Sequence, residues 1–361
     1  MDTACVLTPK SGLQLASRGF SLVEIMVAMA LSVLLLGGVI AMFSSSRASY
    51  ETTDRLSRIQ ENGRFALDQL ARDIRSAGYV GCARVPTYLS TSLNNSGDLQ
   101  WNFLDGAVRG YQSISPGTWS PAIDTSVISP ADDSDVLVLR IPKPNSQPLR
   151  LQADMASASA DLIVPNTTAS GLVAGDIAVA YSCEARSYFY VTGFAGGAIK
   201  HALQAAGAGN AVGNLTPTTN YIFRLNAEVL PVQTVVYYVR QSSAAAAGIG
   251  PADATSLWRR VSLSTPEELV EGVQQMQLQF GVDTTGDSVV DNYVTADSVT
   301  NWDNVYAVSV ALLQRSLEEY GSDTDQKANQ LLDVLVPAAG DRRLREVFTT
   351  TASIRNRVPV N

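Results

Sequence analysis

The sequence predicts an α+β chain: a long amino-terminal α-helix, transmembrane and then amphipathic, packed on a mostly antiparallel β-sheet body. Three observations carry that reading. Residues 20–43 form an apolar run whose one charge is Glu24. Residues 44–78 extend it as an amphipathic stretch with apolar residues three and four apart. Residues 79–361 then switch to short, alternating runs divided by turn-rich loops.

The apolar run is about 36 Å long as a helix, enough to cross the hydrocarbon layer with some tilt. It exceeds the apolar region of a signal peptide, and no small-x-small cleavage site closes it. It is therefore expected to stay in the mature chain. Lys10 and Arg18 precede it, which puts residues 1–19 in the cytoplasm and the body outside. Gly37-Gly38 weakens the helix by about 1 kcal/mol per glycine; the pair suits either close backbone packing or local melting. A carboxylate at Glu24 is the anomaly, because burying one unpaired in lipid costs roughly 2.5–3.5 kcal/mol or more.

Beyond the run, Leu56, Ile59, Gly63, Leu67, Leu70, Ile74 and Ala77 form one apolar stripe. Glu51 with Arg55, Asp54 with Arg58 and Asp68 with Arg72 are spaced as i,i+4 pairs, each worth a few tenths of a kcal/mol. Gly78 is the expected stop. One nearly continuous helix is predicted from Phe20 to Ala77.

Strands are predicted at 135–141, 176–182, 188–194, 221–225, 231–240, 257–263, 273–283, 305–315 and 345–355. Met276, Leu278 and Phe280 alternate with Gln275, Gln277 and Gln279, the pattern of a half-buried antiparallel strand. The stretches 204–214 and 242–256 read as long loops of small residues. No internal repeat is evident.

Composition narrows the function. The formal net charge is −8 and there is no basic block, which argues against nucleic-acid binding. The single histidine, His201, reads as a solvated loop residue and cannot build a histidine zinc site. "GAGNAVG" (207–213) follows no strand and opens no helix, so it reads as a flexible loop. "ADDSDVLVL" (131–139) reads as a solvated acidic turn before a strand. No nucleophile elbow, H-E-x-x-H or phosphate-binding loop is found, and no enzyme is predicted.

"VDTTGDSVVDNY" (282–293) is the candidate metal loop. Asp283, Thr285, Asp287, the carbonyl of Val289, and Asp291 fall on alternate positions of a calcium-loop register. The sixth position is Ser288 rather than Gly and the twelfth is Val294 rather than Glu. Calcium is one reading; an acidic, solvated hairpin turn is the other.

"RGFSLVEIMVAMALSVLLLGGVIAMF" (18–43) resembles the class III leader and first helix of type IV pilins and type II secretion pseudopilins. That resemblance implies cleavage by a prepilin peptidase after Gly19, N-methylation of Phe20, and an assembly role for Glu24. The freed amine of Phe20 and a buried carboxylate would offset each other's burial, between neighbouring subunits or within one chain; a protonated Glu24 is the alternative. "DIRSAGYVGC" (73–82) resembles the end of the first helix in PilW-type minor pilins. "WDNVYAVSVALLQRS" and "DRRLREVFTTTASIRNR" resemble the same group. It implies a pilin-like fold, with residues 1–19 as leader, 20–43 as transmembrane and filament-core helix, 44–78 as its amphipathic continuation, and 79–361 as a periplasmic body. It further implies inner-membrane lipid before assembly, other minor pilins, the major pilin and a tip adhesin as partners. J-type pseudopilins are relatives, usually shorter. A signal-anchored periplasmic enzyme or binding protein is the remaining alternative.

With the leader removed, Cys5 leaves and Cys82 and Cys183 remain. They suit one disulfide joining the loop after the helix to a central strand, or two unlinked buried thiols.

Overall fold

A computed structural model describes residues 19, 21–81, 87–165, 170–203, 213–319 and 324–355 of the 361. The chain divides into two units, Met1–Asp54 and Arg55–Asn361. Helix α1 runs from Leu22 to Ser76, close to the expected span. Phe20 lies outside the described residues. Glu51 pairs with Arg47 at 3.0 Å, and Asp68 with Arg72 at 3.4 Å.

The strands of the second unit are β1 (Tyr88–Thr91), β2 (Val108–Ser115), β3 (Thr118–Ser120), β4 (Val136–Pro142), β5 (Leu149–Arg150), β6 (Leu162–Ile163) and β7 (Ile177–Tyr181). They continue with β8 (Ala185–Tyr190), β9 (Gly193–Ala195), β10 (Ala198–Lys200), β11 (Glu228–Gln241), β12 (Thr255–Val261) and β13 (Glu267–Glu271). The last are β14 (Val273–Val282), β15 (Asn292–Val294), β16 (Val305–Arg315), β17 (Asn329–Leu331), β18 (Val334–Val336) and β19 (Arg345–Ser353). The larger sheet runs β1-β8-β7-β11-β4-β2-β3, with β5, β12 and β13 added around β11 and β12. A second sheet runs β15-β14-β16-β19. β1 and β8 pair in parallel, and the other described ladders are antiparallel. β16 spans the predicted 305–315, and β11 extends the predicted 231–240 to fourteen residues.

The main core lies where α1 meets both sheets. Ala66, Leu70 and Ile74 from the helix, with Ala77 just after it, join Leu137, Leu139 and Tyr237 from the larger sheet. Met276, Leu278, Phe280, Val308 and Val310 complete it from the smaller one. Two glycines permit this approach. A Cβ at Gly63 would sit 2.5 Å from the Phe348 ring, and one at Gly110 would sit 2.3 Å from Phe280. The helix ends as expected: Gly78 turns to φ +66 and its N–H donates to the Arg140 carbonyl at 2.8 Å. A Cβ there would meet that of Ala107 at 2.5 Å.

Several expectations are corrected. Residues 221–225 form no strand. Their backbone is claimed elsewhere: the Leu225 N–H donates to Asp154, and the Phe223 carbonyl accepts from Met155. The flanking Asn220 and Asn226 take positive φ, and the alternation reflects Phe223 buried in a satellite core with Tyr221 packed against it. The run 188–194 is split between β8 and β9. The 242–256 stretch holds a short helix, α2 (Ser243–Ala246), whose Ala245 N–H donates to the Ser242 hydroxyl. His201 is not solvated: it is 2% exposed, its Nε2 bonds the Ala160 carbonyl at 2.9 Å, and its ring packs against Phe189.

The acidic turn before β4 is also not wholly solvated. Asp135 is 2% exposed and accepts from the Ser113 N–H at 3.0 Å and the Leu278 N–H at 2.9 Å. It thereby bridges β2 of one sheet and β14 of the other. The Gln275 and Gln277 side chains are buried too, because both donate to the Asp133 carbonyl. These bonds, not solvent, satisfy the polar face of β14.

Burial pushes the Asp135 carboxyl up to about 7, against the two backbone N–H groups that favour its charged form. An unfolded Asp releases its proton near pH 4. This group's contribution to stability is therefore fully present below about pH 4 and is lost as pH rises through about 7. Asp135→Asn removes that titration. Denaturant unfolding of the full chain from pH 4.5 to 8 is expected to show a parent-minus-variant stability that falls with rising pH. A difference that is flat or rises with pH contradicts the assignment.

Candidate functional site

The first candidate is the apolar part of α1. Every large apolar side chain from Leu22 to Phe43 is exposed, as extreme as 74% at Leu22 and 75% at Met42. By length and composition this helix can cross a membrane. Glu24 stands in its first turn, where a negative charge complements the helix dipole. It shares one face with Ile25, Ala28, Met29, Ser32 and Val33. A Cβ built at Gly37 or Gly38 meets nothing within 4 Å, so neither glycine serves packing among this chain's described residues. Gly19 is exposed.

The second candidate is the helix from Arg55 to Ser76 with its supporting strands. Ile59, Gly63, Leu70 and Ile74 are buried, as the stripe predicts, whereas Leu67 is only partly buried, Leu56 stays 37% exposed, and Ala66, outside the stripe, is buried. Asp73 belongs to the same buried face. Its Oδ2 accepts from the Tyr237 hydroxyl at 2.5 Å and from Arg259 at 3.4 Å, and its Oδ1 accepts from Gln69 at 3.3 Å. Arg259 also donates to the Tyr237 oxygen at 3.2 Å. Burial, reinforced by the Asp73 charge and hydrogen bond, pushes the Tyr237 phenol well above its usual range. The neutral phenol is thus kept as a donor. Sequence reading missed this cluster, yet it carried a signal: Asp73 falls three residues after Leu70, on the apolar stripe.

The carboxy-terminal segments are organised by arginines. Arg315 and Arg343 converge on Asp253, and Arg345 is held by Asp341 and Asp325. Hydrogen bonds from Arg343 and Arg345 hold the Asp253 and Asp341 carboxyls well below the usual range. These pairs fix the start of β19 beside the end of β16.

In the 283–291 loop, Asp283 is buried and accepts from the N–H groups of Thr285, Gly286 and Ser288. Asp291 accepts from Thr284 and Thr285, and Asp287 from the Val289 N–H. Burial would raise Asp283, but the three amides outweigh it and hold it below the usual range. The acids thus close the turn on its own backbone. Among the described residues no group of three or more His, Cys, Asp or Glu is gathered as metal ligands. Cys183 carries a disulfide bond, and Cys82 lies outside the described residues.

Two family descriptions match the sequence. "Type IV Pilus-assembly protein W" matches residues 236–356, from within β11 through β19. "Prokaryotic N-terminal methylation motif" matches residues 15–40, which include Gly19, Phe20 and Glu24. The first match takes in both carboxy-terminal segments noted in the sequence, all but the last residue of the second, and begins well upstream of them. No curated protein and no solved structure matches the chain.

Asp73→Ala leaves the Tyr237 hydroxyl and Arg259 without their shared acceptor, at a cost of about 2–4 kcal/mol. Denaturant unfolding of the full chain is expected to show that loss, with Tyr237→Phe costing less. Loss below about 0.5 kcal/mol would remove the cluster as the helix anchor.

Proposed function

We propose that this PilW-type, class III prepilin-like pilin is a minor pilin of a type IV pilus, working by assembly rather than catalysis. Pilin families are structural, non-enzymatic proteins. The observation that carries the reading is an exposed apolar helical stretch, Leu22–Phe43, most of which falls within a methylation-motif match over residues 15–40.

In this reading residues 1–19 are a leader removed by prepilin peptidase, 20–43 the membrane and filament-core helix, 44–78 its amphipathic continuation, and 79–361 the body. The uncut chain waits in the inner membrane with its body in the periplasm. Cutting after Gly19 frees the Phe20 amine, which is then methylated. The helix leaves lipid and packs against neighbouring pilin helices, which bury its apolar side chains. Glu24 then meets the amine of a neighbour. Either charge alone would be penalised in that apolar core, so the pair selects the correct stagger. Other minor pilins and the major pilin are the proposed partners, with a tip adhesin beyond them. The proposed Cys82–Cys183 disulfide ties the loop after the helix to the start of β8, worth a few kcal/mol by loop-closure arguments.

Mass spectrometry of the mature amino terminus is expected to find N-methyl-Phe20, and Glu24→Ala to block incorporation while sparing the cut. An intact Met1, or a cut near residue 45, would refute the reading. Loss of twitching motility on deletion is expected; loss of exoprotein secretion instead would assign a J-type pseudopilin.

Calcium at Asp283, Thr285, Asp287, Val289 and Asp291 remains a separate proposal. Binding would require the carboxylates to exchange backbone N–H groups for the cation. Calorimetric titration of the full chain with millimolar Ca²⁺ is expected to release heat that Asp287→Ala diminishes. Absence of heat from the parent chain would retire the site.

A further inference from the structure

Just beyond the end of α1 the second unit holds a concavity of about 500 Å³. Arg72, Arg75 and Ser76 line it from the helix, Tyr79 and Gly81 from the following turn, Pro142 from the end of β4, and Arg355 from the residues after β19. Three of these side chains are guanidinium cations and none is acidic. Arg72 is partly neutralised by Asp68 at 3.4 Å and bonds Gln69 at 3.1 Å. Neither Arg75 nor Arg355 makes an ion pair among the described residues.

Scarcity of acids does not explain this, because the chain has 34 Asp and Glu against 26 Lys and Arg. Elsewhere in the body Arg150, Arg224, Arg259, Arg315 and Arg345 each face a carboxylate. The negative end of the helix dipole accounts for one arginine in the last turn. It does not account for another arriving from beyond β19. Like charges gathered around a concave wall repel each other and focus a positive field into it.

The wall is also preset. Gly78 is tied to the Arg140 carbonyl. Gly81 takes φ +60 with its Cβ position only 2.4 Å from the Tyr181 ring. The Ser76 hydroxyl already donates to the Asp73 carbonyl at 2.9 Å, so the arginines are the principal donors facing the space.

We infer that this concavity is an oxyanion site, taking a carboxylate or phosphate group between the guanidinium forks of Arg75 and Arg355 with Arg72 at the rim. Guanidinium binds both oxyanions in two-toothed fashion. The volume exceeds one such group, so the ligand's attached body lies along Tyr79 and Pro142. The same chemistry is offered by an acidic protein segment and by a free polyanion. The inference does not depend on the pilin reading.

The test uses the full chain in detergent micelles, titrated at low salt and at about 0.15 M salt with inorganic phosphate, with citrate, and with an oligoglutamate peptide. At least one probe is expected to bind. The Arg75→Gln/Arg355→Gln double variant is expected to weaken it about tenfold or more, with Arg75→Lys recovering part. Arg224→Gln, an exposed arginine elsewhere, is expected to leave it unchanged. Tighter binding of the peptide than of either small anion identifies a protein segment as the occupant; the reverse identifies a free anion. The inference is overturned if no probe binds the parent, if the double variant binds as the parent does, or if Arg224→Gln weakens binding equally. Thermal melts of the double variant and of each single variant check that the fold is kept.

Discussion

The hydrogen bond from Tyr237 to Asp73 is the contact on which the order of the second unit rests. It joins the one long helix to the longest strand, β11, and Arg259 on β12 closes the same cluster. A buried carboxylate is costly to leave unpaired, so the three side chains accept one arrangement of helix against sheet. Apolar packing alone would be less selective, since a stripe of Ala, Leu and Ile can shift along a sheet at small cost.

Around that contact the two sheets share the main core, with smaller clusters beside it. Gly63 and Gly110 remove the side chains that would hold helix and sheets apart. The 133–135 segment then stitches the sheets: Ser134 and Asp135 bond the backbone of Met276 and Leu278, and Asp133 receives Gln275 and Gln277. Pairing Asp135 with two amides at the join satisfies donors that would otherwise be buried without partners. Its cost is a carboxyl whose charged form is disfavoured. The arginine pairs near β16 and β19 complete the outer edge of the same sheet.

Periodicity made much of this legible. The 3.6-residue stripe foretold α1 and its Gly78 stop, and the period-2 runs foretold β4, β7, β11, β14 and β16. Runs failed where the backbone was claimed by something remote. Residues 221–225 look like a strand because Tyr221, Phe223 and Leu225 alternate, yet Asp154 and Met155 take the hydrogen bonds a ladder would need. His201 and Asp135 depart from the solvated expectation for one reason: a polar residue among small or acidic neighbours looks solvated until distant partners such as Ala160, Ser113 and Leu278 arrive.

Sequence by itself determined an apolar run of membrane length that opens at the Gly19-Phe20 junction and holds Glu24. These are local features, legible from adjacency along the chain. Only the tertiary structure decided which polar residues are buried, where Asp73 finds Tyr237, and that Arg72, Arg75 and Arg355 share one concavity. Those groupings join residues up to hundreds of positions apart, and no local periodicity encodes which distant strand will supply a partner.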